Sequence, residues 1–401
     1  MIFVFYFFAA VLLWLSFKSF RGGFEYLRFF RTELAKPRST FTPFATVIVP
    51  CRGLDAGMYE NLGALFEQEY PEYEIVFAVD DAADSAASVI EEVSCKSAND
   101  AKRSRLIIAP KAVDCGQKVE NLRESVLHVS AKSMVFVFVD SDARPSKDWL
   151  ASLVAPLASD KVGASTGYRW FISKDPSFGS ELRSVWNASI ASALGPNTKS
   201  NFCWGGSMAI RRDVFERVDM REKWHGTLSD DFAVTRAMKA ANLPIVFVPQ
   251  ALTASVENCS LRETLEFTTR QMKITRVYAM PLWLVSLVGS ALFNAVMLTA
   301  TLIVILNRTN RLPVWVSLAV LFFVSFFSVG KAWLRLNAVL LVLTDHESDL
   351  KRQFWTQNTM WILSPALFFV NSVAAWLSRR MTWRGTRYEL KSPSKTVIIR
   401  D

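Results

Sequence analysis

The chain has 401 residues, 46 Lys and Arg against 37 Asp and Glu, a formal net charge of +9, and a composition that is 51% hydrophobic and 21% charged. That is too apolar for a wholly soluble protein and points to membrane segments, as do its 30 Phe and 13 Trp. The positive balance does not mark a nucleic-acid binder, since the soluble part has no run of interleaved basic and aromatic residues.

Residues 1–20 read as an N-terminal transmembrane anchor. The stretch 2–17 is nearly uncharged, and a helix of that length just reaches across a hydrocarbon core that needs about 20 residues. It has no basic leader region and no small-x-small cleavage site, which favours a retained anchor over a signal peptide. Lys18, Arg21, Arg28 and Arg31 follow it in a basic juxtamembrane segment and linker, 21–43, and place the next domain in the cytosol beside anionic lipid headgroups.

From 44 to 259 strand-like runs alternate with helical ones. Strands are predicted at 46–49, 74–79, 105–109, 134–139 and 245–248, and helices at 59–68, 85–93, 118–129, 147–157 and 232–241. Such alternation implies an α/β fold with a mainly parallel sheet flanked by helices. In 260–280, Leu261, Leu265 and Met272 fall on one helical face and Arg270 on the opposite one, so this helix can lie in the membrane surface or pack against the domain. The region 281–378 offers spans at 282–306, 312–329 and 359–377, while 332–343, shorter and carrying Arg335, reads as interfacial or re-entrant. Three crossings would leave the basic tail, 379–401, on the far side, against the positive-inside tendency of Arg379, Arg380, Arg384 and Arg387. Either one apolar segment is re-entrant or the rule fails.

The chemistry begins at Val139-Asp140-Ser141-Asp142, which ends a strand with two carboxylates one residue apart. Ligands of open α/β sheets gather at such strand ends, and paired carboxylates suit Mg²⁺ or Mn²⁺, hard cations that also grip diphosphate. Asp80-Asp81 ends another strand, and Asp230-Asp231 opens a helix where Thr227 or Ser229 can act as cap. Each motif alone has a plain structural explanation as a loop or helix cap. Together they are a minimum set for inverting sugar transfer: an early Asp for the nucleoside, a metal on the diphosphate, a late Asp as general base, and Lys118 to balance developing charge. Cys51, Cys95, Cys115, Cys203 and Cys259 are an odd, scattered set without a C-x-x-C pair, which argues against a disulfide framework or zinc site and fits a reducing compartment. The three histidines, His128, His225 and His346, are too dispersed to propose an imidazole metal cluster.

These motifs, in this order, resemble the GT-A-fold glycosyltransferases of families 2 and 21, most closely the ceramide glucosyltransferases and bacterial enzymes that glycosylate membrane lipids, including hopanoids. The resemblance rests on Val47-Ile48-Val49-Pro50-Cys51-Arg52-Gly53, Val79-Asp80-Asp81, Gly116-Gln117-Lys118-Val119-Glu120-Asn121-Leu122, Val139-Asp140-Ser141-Asp142, Gly205-Gly206-Ser207-Met208-Ala209-Ile210-Arg211-Arg212, Leu228-Ser229-Asp230-Asp231-Phe232 and the tail Trp383-Arg384-Gly385-Thr386-Arg387-Tyr388. It implies that Asp81, helped by Asp80, contacts the uridine of a UDP-sugar, that Asp140 and Asp142 bring Mn²⁺ or Mg²⁺ to the diphosphate, that Lys118 lies in the donor site, and that Asp231 is the catalytic base. Arg270 and Lys273 stand where the family carries (Gln/Arg)-x-x-Arg-Trp and are candidate donor-binding residues. Here the stretch reads Arg270-Gln271-Met272-Lys273-Ile274, which loses the guanidinium fork and the indole and speaks against a processive polysaccharide synthase. Trp170, Trp186, Trp204 and Trp224 can line an acceptor groove or simply pack the core. The implied protein is a multi-pass membrane enzyme with a cytosol-facing catalytic domain and a lipid acceptor. Two other classes stay open: a membrane nucleotide-binding scaffold without transferase activity, and a transporter, for which the membrane segments offer few ionisable residues beyond Lys331 and Arg335.

Overall fold

The computed structural model describes residues 2–96, 103–307 and 310–400. Two compact units emerge: an α/β unit of Glu33–Lys174, Ala193–Asn258 and Arg379–Asp401, and a helical unit of Met1–Thr32, Asp175–Ser192 and Cys259–Ser378.

The α/β unit is built on β1 (Ala45–Pro50), β2 (Tyr73–Val79), β3 (Ser104–Ile108), β4 (Val135–Phe138), β5 (Ala164–Ile172), β6 (Met208–Arg211) and β7 (Ile245–Val256), in the sheet order β3-β2-β1-β4-β6-β5-β7. β3, β2, β1 and β4 run parallel, as do β5 and β7, while β6 is antiparallel to both its neighbours. Because helices cover both faces, β1, β2 and β4 are buried at every position and are apolar except at Thr46 and Glu74. Ile48, Phe136, Phe138 and Met208 form a core with Val119 and Leu122 of the helix Gln117–Ser125 and with Val234 and Met238 of the helix Asp230–Ala240. The chain order turns outward on either side of β1, so the carboxyl ends of β1, β2 and β4 frame the crevice where such sheets bind ligands.

All five predicted strands are present, but β5 and β6 escape the sequence reading. β5 is buried throughout, so it lacks alternation, and Gly167-Tyr168-Arg169 interrupts its apolar run. β6 has only four residues. The C-terminal segment is also more than a basic tail: β8 (Arg380–Trp383), β9 (Thr386–Ser392) and β10 (Lys395–Ile399) form an antiparallel sheet within this unit. It docks through a hydrogen bond from Thr396 N to Gly226 O at 2.9 Å, with Tyr388 and Leu390 buried.

Among the described residues of the helical unit four helices are long and apolar enough to cross a membrane: Ile2–Leu34, Met280–Leu306, Arg311–Leu340 and Phe354–Leu377, the last broken around Met360–Ile362. Phe5, Ala9 and Leu12 pack with Val296, Met297, Ala300, Val320 and Val324, while Phe3, Trp14, Val285, Leu306 and Phe322 stay exposed, as a lipid-facing surface would. The first helix does not stop at residue 20 but continues through Arg21, Arg28 and Arg31, all compatible with helix interiors. Residues 332–340 are not a separate re-entrant element; they continue the helix Arg311–Leu340, and buried Arg335 donates to Gln357 Oε1 at 3.2 Å instead of facing an interface. The helix Leu261–Tyr278 has the expected extent and opens with a Ser260–Glu263 capping box. Its apolar stripe changes partner along its length, with Met272 buried beside Trp283 and Ala375 and Leu261 and Leu265 exposed.

Candidate active site

The site lies in the α/β unit, at the carboxyl ends of β1, β2 and β4 and the amino ends of two helices. After β4, Asp140 pairs with Lys118 Nζ at 2.6 Å. The same ammonium pairs with Asp230 at 3.1 Å, so Lys118 ties the first turn of the Gln117–Ser125 helix to both the D-x-D triplet and the Asp230-Asp231 pair. Burial works against the Lys118 charge, but Asp140, Asp230 and Asp231 outweigh it and hold its pKa above the ordinary lysine value. Burial pushes the Asp230 carboxyl up to about 6, with Lys118 pulling it down.

Asp231 is oriented differently from its neighbour. Ser229 caps the helix Asp230–Ala240, and its hydroxyl together with Phe232 N–H, at 2.7 Å from the latter, fixes Asp231 Oδ1. Oδ2 receives only a long hydrogen bond from Gly205 N at 3.5 Å. Asp231 is half-buried whereas Asp230 is 3% exposed. The capping explanation therefore holds for Ser229, and it leaves one oxygen of Asp231 available to take a proton. Gly205 is required by this geometry: a Cβ there would stand 2.1 Å from Asp230 Oδ2 and 2.9 Å from Lys118 Nζ.

Asp142, the other member of the D-x-D, pairs with Arg169 of β5 at 3.0 Å, and that guanidinium lies over the Trp204 ring at 5.0 Å. Burial pushes the Asp142 carboxyl up to about 6, while Arg169 lowers it and Asp140 raises it. At the end of β2, Lys111 Nζ bridges Asp80 at 3.1 Å and Asp81 at 3.3 Å. Asp80 is buried and also faces Arg52 at 4.0 Å, whereas Asp81 is exposed; a hydrogen bond from Ala83 N–H, then Lys111, hold Asp81 below the usual carboxylate range. Arg52, Asp55, Lys111, Arg169 and Arg384 were not singled out in the sequence as site residues. Arg52 and Lys111 follow β1 and β3 directly, a position that marks them once the strands are known, but Arg169 sits inside a strand that was not recognised.

Two oxygens bear on a metal. Asp142 Oδ1 and Asp230 Oδ2 are buried and make no hydrogen bond. Among the described residues no group of three or more His, Cys, Asp and Glu could hold a metal ion. A Mg²⁺-like ion bound chiefly through substrate phosphates needs only one or two carboxylates, so Asp140 and Asp142, with Oδ1 of Asp142 unclaimed, fit such an ion.

Arg270 and Lys273 lie on the helix Leu261–Tyr278 of the helical unit, both half-buried, with Arg270 against the Phe267 ring at 5.4 Å. Of the four tryptophans, Trp170, Trp186 and Trp224 are core residues with at most 1% exposure; Trp204 adjoins Arg169, and Trp224 Nε1 donates to the Asp230 carbonyl at 3.1 Å.

The sheet, its switch point and these strand-end carboxylates define a glycosyltransferase of the GT-A type. The chain belongs to glycosyl transferase family 21, whose model matches residues 8–396. Among solved structures it is similar to a mannosyltransferase from Pyrobaculum calidifontis in complex with GDP-Man and Mn²⁺, at 18% identity and a TM-score of 0.43 over 92% of this chain and 98% of that one. It is also similar to GalNAc-T7 with UDP, GalNAc and Mn²⁺, at 14% identity and a TM-score of 0.42 over 55% of this chain and 44% of that one.

Proposed function

We propose that this glycosyltransferase moves a sugar, glucose first among candidates, from a UDP-sugar to a hydroxyl of a membrane lipid, ceramide or a related sphingolipid, with inversion at the anomeric carbon. The observation that carries the reading is the convergence of Asp140, Asp230 and Lys118, with Asp231 alongside presenting one loosely held oxygen.

Asp80 and Asp81 bind the nucleoside, and Lys111 orients both carboxylates. A divalent cation, held by Asp140 and Asp142, would supply neutralisation of the diphosphate as it departs. Lys118 adds a fixed positive charge on the same side, pre-organised by two carboxylates and therefore not needing to reorient as charge develops. Asp231 Oδ2 accepts the proton of the acceptor hydroxyl while that oxygen bonds to the anomeric carbon and the carbon–phosphate-oxygen bond breaks, its electron pair leaving with UDP. Gly205 keeps this corner open because any side chain would fill it.

A lipid acceptor is supported by the four apolar helices and by an open apolar groove of about 730 Å³ in the helical unit, lined by residues such as Phe5, Phe8, Leu292, Val296 and Phe369. The basic residues after the first helix favour a cytosolic catalytic unit.

The test uses purified protein in lipid nanodiscs with radiolabelled UDP-sugars, ceramide, a hopanoid alcohol and extracted lipids, with and without a chelator. Label in an organic-phase glycolipid, lost with chelator and with Asp231→Asn, is the expected result. Label found only in a water-soluble polymer overturns the lipid acceptor, and metal-dependent UDP binding without any transfer returns the chain to a binding scaffold.

A further inference from the structure

The hairpin that joins β8 to β9 reaches the same crevice. Its two-residue turn is Arg384-Gly385, with φ of 48° and 76°, between the paired residues Trp383 and Thr386. Left-handed pairs of this kind are the favoured hairpin turns, but asparagine or glycine is the usual first residue. An arginine held there is a reason to ask what its side chain does.

Its guanidinium pairs with Asp55, whose side chain is 10% exposed and whose other oxygen accepts from Ser141 Oγ at 2.6 Å. Ser141 is the middle residue of the D-x-D. Against its burial, the charges of Asp55, Asp142 and Asp140 hold Arg384 above the ordinary arginine value, so the side chain lies within electrostatic reach of both carboxylates of the D-x-D. The next residue but one, Thr386, accepts from Arg52 Nη1 at 3.2 Å, and Arg52 in turn faces Asp80. Tyr388 OH accepts from Gln117 N at 3.4 Å, beside Lys118. Glycine at 226 lets β10 approach, since a Cβ there would lie 2.2 Å from Ser394 O, and this places the small sheet against the segment leading to Asp230. One hairpin thus touches the loop after β1 and the start of the lysine-bearing helix, and reaches the end of β4 through Asp55.

We propose that the C-terminal hairpin forms a wall of the donor site and that Arg384 binds the diphosphate of the nucleotide sugar, exchanging Asp55 for phosphate oxygens. This deepens, and rests on, the reading of the crevice as a nucleotide-sugar site. Arginine suits the role because its planar fork can bind two phosphate oxygens at once, and Asp55 keeps it extended over the crevice before the donor arrives. Lys118 pairs with Asp140 directly, so a diphosphate there would meet two cations of different origin, one from the first turn of the helix Gln117–Ser125 and one from the chain's last strands.

The decisive variant is Arg384→Gly, because glycine prefers the left-handed turn and leaves the hairpin at least as favourable. Full-length protein in nanodiscs is titrated with UDP and Mn²⁺ by calorimetry, and the KM for donor and for lipid are measured separately. Arg384→Gly should weaken UDP binding and raise the donor KM by 10-fold or more, leave the lipid KM unchanged, and melt at the wild-type temperature, with Arg384→Lys recovering part of the loss. Unchanged UDP affinity in Arg384→Gly overturns the proposal. So does an equal loss toward donor and lipid without rescue by lysine, which would make the hairpin a structural element only. If the wild type itself binds no UDP with Mn²⁺, the nucleotide-sugar reading falls and the hairpin assignment falls with it; binding in the wild type that is intact in Arg384→Gly removes the assignment alone.

Discussion

Both units of the chain bury polar side chains, and the two sets are composed differently. In the helical unit Arg335 donates to Gln357, Gln357 donates to Ser184 at 3.1 Å, and Thr356 donates to Glu181 at 2.6 Å, so hydroxyls and amides tie one helix to the next. In the α/β unit carboxylates from separate strand ends crowd onto a few cations, and Asp142 Oδ1 and Asp230 Oδ2 are left over. Such leftover atoms cost free energy wherever they lie, and the helical unit has its own in Trp186 Nε1, Asn358 Oδ1 and Asn371 Nδ2. What separates the sets is therefore their chemistry: contacts between helices in the one, and carboxylates gathered at strand ends around Lys118 and Arg169 in the other.

The sharpest way to break that contrast is Asp231→Asn, which should lower kcat by about 10²–10⁴-fold, the usual worth of a general base, while UDP binding measured by calorimetry stays intact. Lys118→Ala comes next. Removing the ammonium leaves Asp140 and Asp230 crowded and uncompensated, and breaking a buried pair in this way costs about 3–5 kcal/mol, to be read from denaturant or thermal unfolding together with a weakened donor affinity. Gly205→Ala should cost about 1–3 kcal/mol by overpacking against Asp230 and should depress turnover as well, since it fills the catalytic corner. Gln357→Ala is the control from the other region: a loss of about 1–3 kcal/mol in stability with the donor KM unchanged, and a change in that KM would erase the distinction between the two sets.

How far these features were legible in the sequence follows the range of the signal. Asp80, Asp140 and Asp231 could be placed because each ends a run of apolar residues or begins a periodic helix, signals contained within a dozen residues. Arg169 could not, because what marks it is its partner, Asp142, across 27 positions of chain and two strands. Arg384 was visible as a tail cation and as a member of the motif Trp383–Tyr388, but its pairing with Asp55 spans 329 positions. The long helix Arg311–Leu340 was divided in two by reading Arg335 as an interfacial charge, a fair inference for an arginine without a partner and wrong for one that faces Gln357.

That β8, β9 and β10 fold with the α/β unit also fixes a parity. The chain leaves that unit after Asn258 and rejoins it at Arg379, so whatever bilayer it traverses in between it must traverse an even number of times. Three apolar stretches lie on this detour. Met280–Leu306 and Arg311–Leu340 have 27 and 30 residues, about 40 and 45 Å of helix, ample for a full passage each. The third is interrupted at Met360–Ile362 and ends in a helix of only 15 residues, about 22 Å. Phe354–Leu377 as a whole is also long and apolar enough to cross, so the parity bears first on this broken stretch.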